Sequence, residues 1–243
     1  MWTREVLKER AKAVLKTNYW KSFLISLVIV IAGGDGNSGS AGGGGNNSVR
    51  STIGETANQI VDSRSIIIIA IGAVLIVIAF RILLGYPLEV GGRRYFIRSA
   101  EYKDNRGCFS YAFDGRNYTG IIVSMLLMSI YSLLWTLLFI IPGIIKYYAY
   151  RMVPYLLADN PNIGAKRAIE ISNEMTMGHK FDIFVLDLSF LGWYLLGALA
   201  LGIGVLFVNP YVNATEAELY LVLRSNAIEN GYCSYNELNG ELY

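Results

Sequence analysis

The sequence predicts an all-α fold, a polytopic membrane protein with six transmembrane helices and amphipathic interfacial helices, on three observations. Hydrophobic residues make up 53% of the 243 and charged ones only 16%, with a mean hydropathy of +0.39, unlike the balance of a soluble domain. Several apolar runs approach the roughly 20 residues that a spanning helix needs. The basic residues gather between alternate runs, as they do on the cytoplasmic side of a bilayer. A net charge of +2 is too small to point to nucleic acid. Cys108 and Cys233 are too few and too distant for a disulfide framework or a zinc site, and no cofactor is expected.

The chain opens with a cationic amphipathic helix over residues 1–18. Thr3 can cap its start, and Val6, Leu7, Ala11, Val14 and Leu15 recur near the 3.6-residue period. Lys8, Arg10, Lys12 and Lys16 lie on the other side and are candidates for contacts to anionic lipid headgroups. A solvated helix packed on the protein is the alternative. Residues 19–223 then read as the membrane domain. Phe23 to Ala32 is apolar but short for a span, and a signal peptide is its rival reading.

A Gly-rich extracytoplasmic loop, 33–64, follows, with the glycosylation-like tripeptide Asn46-Asn47-Ser48. Its glycines lack the Lys-Ser/Thr of a phosphate-binding loop. Ile66 to Leu84 is the second span, with Arg81 near one end able to snorkel outward. Residues 85–117 read as a polar cytoplasmic loop. The third span, about Ile121 to Ile141, stops at Pro142-Gly143, and a fourth covers Ile144 to Ala158. A second amphipathic stretch fills the cytoplasmic loop 159–180, with Gly178 at its end. Spans five, Phe181 to about Leu199, and six, to about Leu223, enclose a turn at Gly202-Ile203-Gly204, and a mobile cytoplasmic tail, 224–243, completes the chain.

Orientation follows from charge. The clusters before span one, in 85–117, around Lys166-Arg167 and at Arg224 all fall on one side if there are six spans, which places both termini in the cytoplasm.

Four passages, Pro87-Leu88-Glu89-Val90-Gly91, Ile140-Ile141-Pro142-Gly143-Ile144-Ile145-Lys146, Pro154 to Pro161 and Asp187-Leu188-Ser189-Phe190-Leu191-Gly192-Trp193, occur in this order. Together they resemble a bacterial integral membrane protein family classed as a domain of unknown function (number 975), over Trp2 to about Tyr220. The resemblance implies a plasma-membrane protein and supplies no activity or site residues. The Pro-Gly hairpin with its amphipathic helix is also similar, more distantly, to the membrane domain attached to some glycerophosphodiester phosphodiesterases.

No catalytic motif is present, and an enzyme is not expected. His179 is the sole histidine, which excludes an H-E-x-x-H site and leaves Ser189 without a base. Arg151, Asp187, Glu216 and Glu218 lie inside apolar runs, where a charge costs roughly 3 kcal/mol or more at the bilayer centre and therefore pairs. They form a candidate polar cluster, with Arg151–Asp187 the favoured pair. Packing salt bridges are one reading of it and a polar cavity is the other. Gly143 with Pro154-Tyr155, and Gly204 with Pro210-Tyr211, suggest a weak internal repeat. The leading functional expectation is a lipid-interacting or scaffolding membrane component, with membrane lipids as partners and a protein partner or homo-oligomer left open. The alternative is a small transporter or channel component.

Overall fold

The computed structural model describes residues 2–33, 63–199 and 204–239, and they are helical apart from short connections. The Gly-rich run with its Asn46-Asn47-Ser48 tripeptide, and Gly202-Ile203, lie outside the described residues. Helix α1 is Arg4–Ile31, capped by Thr3, whose Oγ1 accepts from the Val6 N–H at 3.4 Å. It is kinked at Asn18, where φ −134° and ψ 28° interrupt the helix. The apolar arm beyond the kink, Tyr19 to Ile31, is thus only roughly 20 Å long at 1.5 Å per residue.

Helix α2, Ser63–Phe80, runs through a π-helical turn, Arg81–Gly85, into α3, Tyr86–Ala100. This corrects the reading of 85–117 as a loop. Pro87 lies just past the π turn of this continuous helix and cannot donate to the Leu83 carbonyl, which accepts instead from Tyr118 Oη at 2.9 Å. Tyr86, Val90, Arg93 and Ile97, spaced i, i+4, i+7 and i+11, are buried on one side. Arg93 and Arg94 are therefore bundle residues, and the charge count for that connection rests on Arg98, Lys103, Arg106 and Arg116. At Gly92 a Cβ would fall 2.5 Å from the Ile29 side chain, so glycine lets α1 close on α3.

After the short α4, Cys108–Phe113, come α5, Gly115–Leu138, and α6, Ile140–Tyr150. The break falls at Phe139, extended at φ −155°, and Pro142-Gly143 belongs to the first turn of α6. The expected fourth span is not one helix. Arg151 and Met152 separate α6 from α7, Val153–Asp159, and Val153 to Ala158 is buried in the protein. Pro154 helps enforce this break, since it cannot donate to the preceding turn. Helix α8, Ala165–Met175, buries Ala168, Ile169, Ile171, Ser172 and Met175 and is followed by Gly178 at φ +82°.

Helices α9, Lys180–Leu199, and α10, Gly204–Glu229, form a hairpin in which a Cβ on Gly197 would meet the Gly204–Val205 backbone within 2.8 Å. Pro210 lies within α10, whereas Pro154 opens α7, so the two hairpins are not matched at their prolines. Helix α10 is central, packed on α1, α3, α8 and α9, and Val212 to Tyr220 is buried throughout. The tail after Arg224 is ordered through residue 239, a correction. Helix α10 continues to Glu229, and α11, Tyr235–Asn239, docks through Leu238 and Cys233, both buried.

Among the described residues four helices are long and apolar enough to cross a membrane, Arg4–Ile31, Ile67–Ala100, Gly115–Leu138 and Lys180–Leu199, where six were expected. The two missing are the broken α6–α7 and the central α10, whose composition is that of an interior. The outer surface is apolar. Every residue from Ile67 to Phe80 but Gly72 is exposed, as are Leu133, Leu134 and Leu137 on α5 and Leu188, Leu191, Leu195 and Leu196 on α9. Soluble proteins rarely present such continuous apolar surface.

Candidate functional site

The break between α6 and α7 turns Arg151 inward, between α9 and α10. Its Nη1 lies 2.5 Å from Asp187 Oδ2 and its Nη2 2.9 Å from Asp187 Oδ1, a bidentate pair, while Nη2 also donates to Glu216 Oε1 at 2.5 Å. The side chains of Arg151, Asp187 and Glu216 are 8, 10 and 8% exposed. Tyr148 Oη donates to Asp187 Oδ2 at 3.0 Å and Tyr155 Oη to Glu216 Oε2 at 2.8 Å. On the far side of Glu216, Arg93 Nη1 approaches Oε2 at 3.2 Å and also donates to Asn213 Oδ1, and Asn213 Nδ2 donates to Ser26 Oγ at 3.0 Å. One hydrogen-bonded chain therefore ties α9, the α6–α7 break, α10, α3 and α1 together.

The structure thus brings Arg151, Asp187 and Glu216 together and leaves Glu218 out. Two positions along a helix turn a side chain by roughly 200°, so Glu218 faces α1 and the end of α3, where it lines a separate cleft with Arg10 and Tyr102. The candidate headgroup residues also divide. Lys12 and Lys16 are exposed, whereas Lys8 is half-buried, its Nζ 3.4 Å from the Ser189 carbonyl and 4.4 Å above the Phe190 ring. Lys8 is thus packed against α9.

Sequence reasoning missed Arg93, Glu89 and the inward role of Arg81. Arg81 does not snorkel. Its Nη2 lies 2.8 Å from Glu89 Oε2, a carboxylate 5% exposed, and its Nη1 donates to the Ala32 carbonyl at the end of α1. A guanidinium there satisfies an orphan carbonyl and complements the helix dipole. Arg94 does the same for the Ala158 carbonyl near the end of α7, stacked 3.5 Å over the Tyr111 ring. The signal was the helical spacing of Tyr86, Val90 and Ile97, hidden because glycines and arginines make 85–117 look polar.

Beside the chain of charges is a cleft of about 430 Å³. Arg81, Glu89, Arg93, Arg151 and Glu216 form its charged wall, and α5 lines the other side with Met128, the hydroxyls of Ser129, Ser132 and Thr136, and Leu133 at the exposed mouth. Three guanidiniums, of Arg81, Arg93 and Arg151, and two carboxylates, of Glu89 and Glu216, line it, and Asp187 neutralises Arg151 from outside the lining. No group of three or more metal-ligating side chains occurs among the described residues.

Fold and site together define an all-helical bundle with several membrane-length apolar helices, a charged interior and a cleft. Residues 137–227, from the end of α5 to near the end of α10, match the family described as "Protein of unknown function (DUF975)". This is the family that the four passages resemble, over a shorter stretch than the resemblance covers, and Pro87 to Gly91 lies outside it. No curated protein and no solved structure matches.

Proposed function

We propose that the chain is a six-pass, non-enzymatic component of the plasma membrane, both termini cytoplasmic, whose central cleft receives the polar head of a lipid or lipid-like amphiphile. Four passes are the apolar helices. The other two are α10, roughly 39 Å long and wrapped by its neighbours, and α6 with α7, roughly 30 Å together, with Ile141, Ile144 and Ile145 of α6 on the outer surface. The carrying observation is the cleft itself, with a charged wall opposite a face of α5 that carries Met128 and Leu133 beside three hydroxyls. Because Asp187 neutralises Arg151 from outside the lining, the guanidiniums and carboxylates around the cleft balance, and a singly charged guest would leave one charge uncompensated, at several kcal/mol. An uncharged or zwitterionic head fits better. Nucleic acid has no place in this reading.

A second reading, a small transporter, is favoured by the helix break at Arg151, since transporters place sites where helices are discontinuous. Native mass spectrometry of the full chain tests the first reading: a lipid should stay bound to the wild type and be lost from Leu133→Trp, which fills the cleft. A wild type that carries no lipid overturns it. Movement of labelled phospholipids across proteoliposomes, abolished by Leu133→Trp, would select the second. For topology, Cys108 and Cys233 are poor reporters because both are buried. Arg106→Cys, with a side chain 92% exposed, should label only after permeabilisation, and Ser40→Cys in sealed cells. The reverse pattern rejects the orientation.

A further inference from the structure

A second cleft, of about 550 Å³, lies between the N-terminal arm of α1, the end of α3 and the last turns of α10. Arg10, Tyr102, Glu218, Ser225 and Asn226 are on its walls. Glu218 is only 5% exposed, and among the described residues no hydrogen bond or ion pair within 4.0 Å engages its carboxylate. The cation whose field reaches it is Arg10, which stands exposed on the rim. The stem of Glu218 is enclosed and its carboxylate meets water only through the cleft, where a charge partly withdrawn from solvent favours a cationic partner.

Tyr102 supplies an independent observation. It is the left-handed residue of the cap that ends α3, at φ +57°, with its own N–H donating to the Ser99 carbonyl at 3.2 Å and the Lys103 N–H to the Arg98 carbonyl at 2.8 Å. Its ring is 79% exposed beside the cleft. An aromatic face next to a carboxylate is the pairing that recognises an organic ammonium.

We propose that the cleft binds an ammonium group carried next to a phosphate, with Glu218 as the ammonium's counter-ion, Tyr102 as its aromatic wall and Arg10 as the phosphate contact. This is the chemistry of phosphoethanolamine, whether free in solution or as a membrane headgroup. The proposal deepens the lipid-interacting reading by naming a headgroup, at a place separate from the central cleft.

The test uses the full chain. Soluble O-phosphoethanolamine is titrated in detergent. In parallel, thermal midpoints are compared in nanodiscs of ethanolamine lipid with phosphatidylglycerol and of choline lipid with phosphatidylglycerol. The wild type should respond to the soluble probe, to ethanolamine lipid over choline lipid, or to both; the first identifies a free ligand and the second a headgroup. Glu218→Gln should weaken that response about tenfold or more, the loss expected for a charged hydrogen bond, and so should Arg10→Gln. No response from the wild type to either probe overturns the proposal, as does an unchanged response in both variants. Should Glu218→Gln fail to fold, Arg10→Gln, at an exposed position, decides alone. A response lost in Leu133→Trp and kept in Glu218→Gln would assign it to the central cleft and also overturn this site.

Discussion

The molecule holds charge in two ways. In the middle of α10, Arg151, Asp187, Glu216 and Arg93 are at most 10% exposed and every partner is shared with a neighbour. At the far end of the same helix, Arg224 pairs with Glu101 and with Asp159 at 2.9 Å, and Arg167 pairs with Glu237 at 2.7 Å, with side chains from 13 to 35% exposed. The residue types are the same and the energetics differ. Water can solvate a charge that loses its partner at the end of the helix and cannot in the middle.

The largest effect is therefore expected in the centre, and the shared partners make it asymmetric. Arg151→Leu leaves Asp187 with Tyr148 alone, because Glu216 keeps Arg93 and Tyr155. Asp187→Leu leaves Arg151 still paired with Glu216. Arg151→Leu should destabilise the protein by about 3 to 5 kcal/mol, more than Asp187→Leu, and the double variant should recover part of the loss. Unfolding in detergent, with a double-mutant cycle, measures this. Equal single losses that simply add would remove the distinction between the two regions.

This centre was partly legible in the sequence, and the reason it was only partly so is physical. An arginine or aspartate inside an apolar run stands out against its neighbours, which is why Arg151 and Asp187 could be paired before any coordinates. Arg93 sits among Gly91, Gly92, Arg94 and Arg98, and composition there says loop while the spacing of its apolar residues says buried helix. Glu216 and Glu218 look alike in sequence, and the helical period sends them to opposite sides. The tail reads as polar and free because its anchors, Cys233 and Leu238, are two isolated apolar residues that have no periodic neighbours. Six spans were expected from hydropathy, yet a helix wrapped by others, as α10 is, need not be apolar.

An intermediate effect belongs to Arg224. Burial alone would lower its pKa, but Asp159 first, then Tyr220 and Glu101, more than offset this and raise it. Burial likewise would raise that of Glu101, and the hydrogen bonds from Arg224 and Lys103 outweigh it and hold it below the usual range. Arg224→Gln should cost roughly 1.5 to 3 kcal/mol, as for charged hydrogen bonds, with Lys103 left to neutralise Glu101 at 2.9 Å. The same denaturation assay reads it. A loss as large as that of Arg151→Leu would mean the end of α10 is as dry as its middle.

The smallest effect on stability, and the most local, is expected where α11 docks. Arg167 donates to Glu237 Oε1 at 2.7 Å and to the Tyr232 carbonyl at 2.7 Å, and Asn160 Nδ2 donates to the Glu237 carbonyl at 2.8 Å. With Arg167 35% exposed, Arg167→Gln should cost about 1 kcal/mol or less. The thiol beneath reports far more sensitively, because burial pushes Cys233 up to about 11 from an ordinary 9.0. If α11 leaves, the thiolate fraction at neutral pH rises by roughly a hundredfold and alkylation with it, while Cys108, buried at the start of α4, stays slow as an internal control. Acid should do the same to the docking. The Arg167 hydrogen bond holds Glu237 below its ordinary value. The pairing therefore stabilises the docked state above the unfolded-state value of about 4.3 and is lost as pH falls through the folded-state one. Hydrogen exchange of residues 235–239, corrected for its intrinsic pH dependence, should quicken over that fall in the wild type and already be quick at neutral pH in Arg167→Gln. Equal Cys233 alkylation in the two proteins would show that Leu238 and Asn160 hold α11 without the ion pair.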